Sequence, residues 1–115
     1  MTKTTDNLSW EDFTRVEMRV GTIIKAEIFK EAKKPAYKIS LDFGAYGIRK
    51  TSAQITRLYA PEELIGRQVV AVVNFPPRQI ANFMSECLIL GAIGDNGEVT
   101  LLTTERPAKA GLKIG

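Results

Sequence analysis

Asn74-Phe75-Pro76-Pro77-Arg78, with Ser85-Glu86 a short way on, gathers the side chains of this chain best suited to gripping a ligand. They follow an unbroken apolar run, Val69-Val70-Ala71-Val72-Val73, which reads as a strand buried on both faces. The two prolines forbid its continuation, because neither can donate to a ladder and each fixes its own φ. Asn74, Arg78 and Ser85 are therefore expected at a rigid strand exit, an arrangement that suits recognition better than catalysis. The Arg78 fork can hold a phosphate or a peptide carboxylate through two hydrogen bonds. Asn74 offers both a donor and an acceptor. Phe75, Phe83 and Met84 flank these polar groups and could stack bases or grip the side chains of an unfolded peptide. Packing at a barrel mouth or a dimer interface is the competing use for them.

A second group is basic. Lys30-Glu31-Ala32-Lys33-Lys34-Pro35 reads as a loop, with Lys38 just beyond it. Lys33, Lys34 and Lys38 are placed to neutralise phosphates, with an affinity that falls as salt rises. A plain solvated loop would show the same residues. Arg49 and Lys50 are neighbours, so from a strand only one of them can face a binding surface; Arg49 is the candidate of the pair.

Composition narrows the chemistry further. The chain has 115 residues, 16 Lys+Arg against 13 Asp+Glu, a net charge of +3 and 44% hydrophobic residues. It is one domain by size, large enough for its own core. The mild basicity permits a nucleic-acid partner without demanding one. There is no histidine and one cysteine, which rules out imidazole or thiolate zinc sites and Ser-His-Asp or Cys-His nucleophiles within one chain. Cys87 lies in Cys87-Leu88-Ile89-Leu90 and reads as a small buried hydrophobe. Glu62-Glu63 follow Pro61 at a helix start, where acidic side chains favour the dipole. Gly91, Gly94 and Gly97 form no phosphate loop. We expect no enzyme, no cofactor and no metal. No apolar stretch approaches a membrane span of about 18 residues. The polar start, Met1 to Asn7, lacks a signal peptide's apolar segment, so a cytoplasmic protein without membrane insertion is expected.

The elements that must position these residues are short strands. Ser9-Trp10-Glu11-Asp12-Phe13 carries a capping pattern and predicts a helix over 9–14. Val16, Met18, Val20, Ile24, Ala26 and Ile28 share one parity, the mark of a long half-buried strand, with Gly21 its expected bend or bulge. Tyr37, Ile39, Leu41 and Phe43 alternate with Lys38, Ser40 and Asp42 in a second strand. Gly44 to Gly47 turn the chain, and Ile48 to Ile55 form a third. Pro61 to Gly66 make a short helix, residues 67–74 the buried fourth strand, and Leu88–Ile93 with Val99–Leu102 a closing hairpin. The fold class predicted is all-β: a five-stranded Greek-key OB-fold barrel with short helices at the N-terminus and between strands 3 and 4. Another small barrel or sandwich is the alternative on pattern alone.

Met18-Arg19-Val20-Gly21-Thr22, Pro35-Ala36, Ser52-Ala53, Leu64-Ile65-Gly66-Arg67, Asn74-x-x-Pro77-Arg78 and Ser85-Glu86 occur in that order. Together they resemble the tRNA-binding domain attached to methionyl-tRNA synthetases and to the phenylalanyl-tRNA synthetase β-chain. The likeness runs over about residues 12–103. A free-standing domain of this length with Asn-Phe-Pro-Pro-Arg and Ser-Glu-Cys-Leu-Ile-Leu looks most like the export-related chaperones of that family. The resemblance implies an OB-fold homodimer in the cytoplasm that binds unfolded or pre-secretory polypeptides and cooperates with the SecA export motor. A structure-specific tRNA binder using the same face is the alternative, and a purely structural subunit a third. Asn74, Arg78 and Ser85 carry over by position. The chain departs from the family at Lys34-Pro35-Ala36-Tyr37, where His-Pro-x-Ala-Asp is usual. It departs again at Ser52-Ala53-Gln54, in place of Ser-Gly-Leu, and at Ser85-Glu86-Cys87-Leu88, in place of Ser-x-Gly-Met. The helix at 9–14 and the apolar tail at 106–115 are the expected dimerisation extensions of the single domain, residues 1–115.

Overall fold

The structure is a computed structural model that describes residues 7–115. Residues 1–6, most of the polar start, lie outside the described part. Helix α1 (Trp10–Arg15) begins at Ser9, whose hydroxyl accepts a hydrogen bond from the Asp12 N–H at 3.0 Å. The predicted cap is therefore the one used. Strands β1 (Met18–Ile28), β2 (Tyr37–Asp42) and β3 (Ile48–Ala53) follow as antiparallel neighbours, then helix α2 (Pro61–Leu64) and β4 (Gln68–Val72). A small hairpin, β5 (Arg78–Ile80) and β6 (Phe83–Ser85), precedes β7 (Leu88–Ile89), β8 (Gly91–Ile93) and β9 (Val99–Leu101). The main sheet has five strands in the order β3-β2-β1-β4-β7. It curls until β3 meets the segment before β7: the Glu86 N–H donates to the Lys50 carbonyl at 2.7 Å and the Lys50 N–H to Glu86 Oε1 at 2.9 Å. The result is the predicted OB-type barrel, nearly closed, with α2 between the third and fourth strands. None of the described helices is long and apolar enough to cross a membrane.

The core follows the alternation read from β2, where Tyr37, Ile39 and Leu41 are buried, with Phe43 beyond them. Ile23, Ala53, Ile55, Leu64, Val69, Ala71 and Val73 fill the same interior. Two expectations for β1 are corrected. Its bulge lies between Ile23 and Lys25, making Ile24 the extra residue, rather than at Gly21. Accordingly Ile23 is buried, while Ile24 and Ile28 are 44% and 62% exposed. Gly21 serves close packing instead: a Cβ there would stand 2.8 Å from the Phe43 ring. The closing hairpin forms as β8–β9, but its first arm is divided, because β7 pairs with β4.

The tail, expected to pack on a partner subunit, is tied to its own barrel. The Gly111 N–H donates to the Val20 carbonyl at 2.8 Å, Val20 to Leu112 at 2.9 Å and Ile114 to Met18 at 2.9 Å. Arg19 locks the join, donating to the Gly111 carbonyl at 2.8 Å and to Glu17 Oε2 at 2.7 Å, with its guanidinium 3.8 Å from the Tyr46 ring centre. Gln68 pairs by both ends of its amide with the backbone of Ala108. Leu112 still leaves 49% of its surface exposed.

Candidate ligand-binding site

The stretch after the two prolines is a hairpin rather than the loop that its composition suggests. Arg78 pairs with Ser85, Gln79 with Met84 and Ile80 with Phe83. Ala81 turns the chain in the left-handed region at φ 52°. Alternation puts Arg78, Ser85, Ile80 and Phe83 on one face and Gln79 and Met84 on the other.

The base of this hairpin overhangs a groove of about 750 Å³, bounded by the end of β3 and the run from Cys87 to Ile93. Its walls are mainly apolar: Phe75, Ile80, Leu88 and Ile93 among them, with Phe75 55% and Ile93 80% exposed. Arg78 is the one charged residue of the lining. It is exposed and, among the described residues, its guanidinium makes no intramolecular hydrogen bond or ion pair. The groove therefore presents apolar surface and one free guanidinium, which matches an extended peptide carrying apolar side chains and a carboxylate.

Several candidate residues turn out to hold this site in place. Asn74 Oδ1 accepts from the Glu17 N–H at 3.0 Å and Asn74 Nδ2 donates to the Arg15 carbonyl at 2.7 Å. Both ends of the amide thus staple the turn from α1 into β1. Ser85 Oγ accepts from the Ser52 N–H at 3.1 Å and lies 3.1 Å from Thr51 Oγ1, which donates to the Cys87 carbonyl at 2.7 Å. Buried Thr51 is the hub of that hydroxyl chain, and no pattern in the sequence marked it. Cys87 is buried beside it, and burial pushes its thiol up to about 12. Arg49 points inward and donates to the Val73 carbonyl across the barrel end.

The basic residues converge elsewhere, at the tip of the hairpin. Phe83 meets Phe29 edge-on with ring centres 5.4 Å apart. Lys38 lies 5.1 Å from the Phe29 ring centre and 5.7 Å from that of Phe83, and Lys50 lies 5.6 Å from Phe83. Lys50 thus occupies the face for which Arg49 was the candidate; opposite Ser40 in the ladder, it points outward. Lys38 also reaches Glu31 at 4.0 Å. Lys33 and Lys34 are exposed on the loop that begins beyond Phe29. Met84 faces away from both the groove and this cluster. Lys50 was passed over for Arg49, and Phe29 was missed, although a phenylalanine closing an amphipathic strand beside a lysine loop is a usable signal.

A small curled five-stranded barrel with a basic aromatic face and an apolar groove defines a ligand-binding OB-type domain. The family model described as "Putative tRNA binding domain" matches residues 18–113, and the chain belongs to that family. Its structure is similar to the chaperone CsaA of Bacillus anthracis, with TM-score 0.91 and 48% identity over 95% of this chain and 99% of that one. It is similar also to the CsaA chaperone protein of Picrophilus torridus, with TM-score 0.89 and 49% identity over 95% and 100% of the two chains. The likeness to chaperones of the family, expected from the residues, holds. The methionine--tRNA ligase of Methanocella arvoryzae is 36% identical over 90% of this chain, which spans only 15% of that ligase's length.

Proposed function

We propose that this protein is a polypeptide-binding chaperone that holds extended, unfolded segments in the groove under Phe75 and Arg78. The carrying observation is the groove itself: an apolar lining of about 750 Å³ with Arg78 as its single, unengaged charge. The similarity to two CsaA chaperones over nearly the whole chain supports the reading. We further propose a cytoplasmic homodimer serving pre-secretory polypeptides and cooperating with the SecA export motor. Its contacts would come from α1 and the tail at 106–115, which expose Trp10 by 75% and Leu112 by 49%. Two grooves on one rigid body gain avidity for a long client without tight individual sites. Titration of a carboxymethylated unfolded protein should give binding with a negative heat capacity and a shallow salt slope. Phe75→Ala with Arg78→Ala should weaken it; unaltered binding would place the site elsewhere.

A second reading rests on the other surface. Lys38 and Lys50 around the half-buried Phe83 ring, which is backed by buried Phe29, form a cationic aromatic face, the combination that binds nucleic acid by phosphate neutralisation and stacking. Lys33 and Lys34 extend it. Total tRNA that stays bound at physiological salt against an unfolded competitor would make RNA the ligand. Binding that fades with salt or yields to the competitor would favour the chaperone.

A further inference from the structure

In a β-strand the N–H and C=O groups of every second residue point to the same edge. On β3 the residues turned away from β2 are Ile48, Lys50 and Ser52, and the last two meet the far side of the seam. Lys50 exchanges hydrogen bonds with Glu86, and the Ser52 N–H is taken by Ser85 Oγ. One step past the end of β3, the next residue on that edge is Gln54. Across the groove, the Leu90 N–H donates to the Val70 carbonyl at 2.9 Å, and Leu88 is in register with Val72. Alternation then turns the backbone of Ile89, between them, away from β4 and into the gap. Among the described residues no backbone or side-chain group answers Gln54 or Ile89 there. Both line the same cavity. The barrel is thus sealed by Ser85 and Glu86 along part of this seam and left open along the rest.

We propose that an extended peptide enters this open seam as an added strand, with its backbone bonded to Gln54 and Ile89. The inference rests on the polypeptide-binding reading and gives it a mode. Main-chain hydrogen bonds supply affinity that is indifferent to client sequence, while alternate side chains meet the apolar walls. The lining carries Arg78 and no acidic residue, so the favoured segment places a carboxylate near that end. Edge pairing also explains how one small groove can serve many unfolded chains.

The test uses the full chain and a short synthetic peptide of alternating leucine and serine with a free carboxylate. Two N-methylated versions block alternate amides in the two possible phases. The amides of one phase face Gln54 and those of the other face Ile89, so each version should weaken binding about tenfold or more. On the protein side, Gln54→Pro removes an N–H and leaves Ala53 extended, so binding should fall by about the same factor, while Gln54→Ala should retain it. Both variants are checked by thermal melting. Binding that is indifferent to both methylation phases would overturn strand addition and leave the chaperone reading intact. So would failure of the peptide where a carboxymethylated unfolded protein binds. Failure of both probes would overturn the two together.

Discussion

Two strand edges of this barrel meet different fates. The start of β1, beyond the reach of β2, is covered by the tail, whose backbone bonds to Met18 and Val20 while Arg19 grips Gly111. The seam between β3 and β7 is covered by Ser85 and Glu86 only part of the way, and an apolar groove opens where they stop. An uncovered edge invites pairing with another chain. Closing one edge with the protein's own tail and leaving the other open separates stability from recognition. The first edge should therefore respond to substitution by melting, and the second by loss of ligand.

The largest effect should come from the closed edge. Gly111 sits at φ +93°, and a Cβ there would collide with the Phe43 carbonyl. Gly111→Val is expected to cost about 3 kcal/mol or more, read as a drop in the urea midpoint with an unchanged slope. A melting curve like that of the parent would mean that the tail contributes little to the fold. Next, Asn74→Ala removes two hydrogen bonds between β4's exit and the α1–β1 turn. A loss of about 2 kcal/mol follows, with peptide affinity reduced far less than by removal of Arg78. Arg78→Ala sharpens the contrast from a position four residues on. Its melting temperature should match the parent while affinity for an acidic peptide falls about tenfold. Parallel losses of stability in the two variants would erase the distinction between a positioning residue and a binding one.

The last effect is confined to alkaline pH. Burial holds the Cys87 thiol neutral up to about 12, against an ordinary value of 9.0. Its folded pKa is thus raised, so the stabilising contribution is complete below pH 9 and fades as pH climbs through the folded value. Denaturation midpoints of the parent and of Cys87→Ala should converge across that alkaline window. A gap between them that stays constant up to pH 12 would show the thiol to be accessible or paired.

Much of this frame was legible because the patterns were strong. The alternation of Tyr37 to Phe43 placed β2's inner face residue by residue, and Pro61 and Gly66 marked the ends of the α2 turn. The strand exit at Asn74 was located because two prolines cannot continue a ladder. What stayed hidden depended on partners distant in sequence. Asn74, Ser85 and Arg49 have the donors and acceptors of ligand-binding residues, and a sequence displays that capacity without showing that Arg15, Ser52 and Val73 use it. The β5–β6 hairpin escaped because Gln79, Ala81 and Asn82 have little strand character and its turn rests on a left-handed alanine. The bulge escaped because Ile24 matches the parity of Ala26, while Gly21 is the more conspicuous residue. The open seam is a property of where Ser85 and Glu86 stop, and no local pattern encodes it.

The clasp between Arg19 and Gly111 joins residues 92 positions apart. During synthesis at about 5–20 residues per second, the first strand leaves the ribosome several seconds before the segment that will cover it. Over that interval the nascent barrel carries two unsatisfied borders instead of one. A translational pause late in the message would lengthen the exposure of the border that the finished molecule conceals, and would leave the other unchanged.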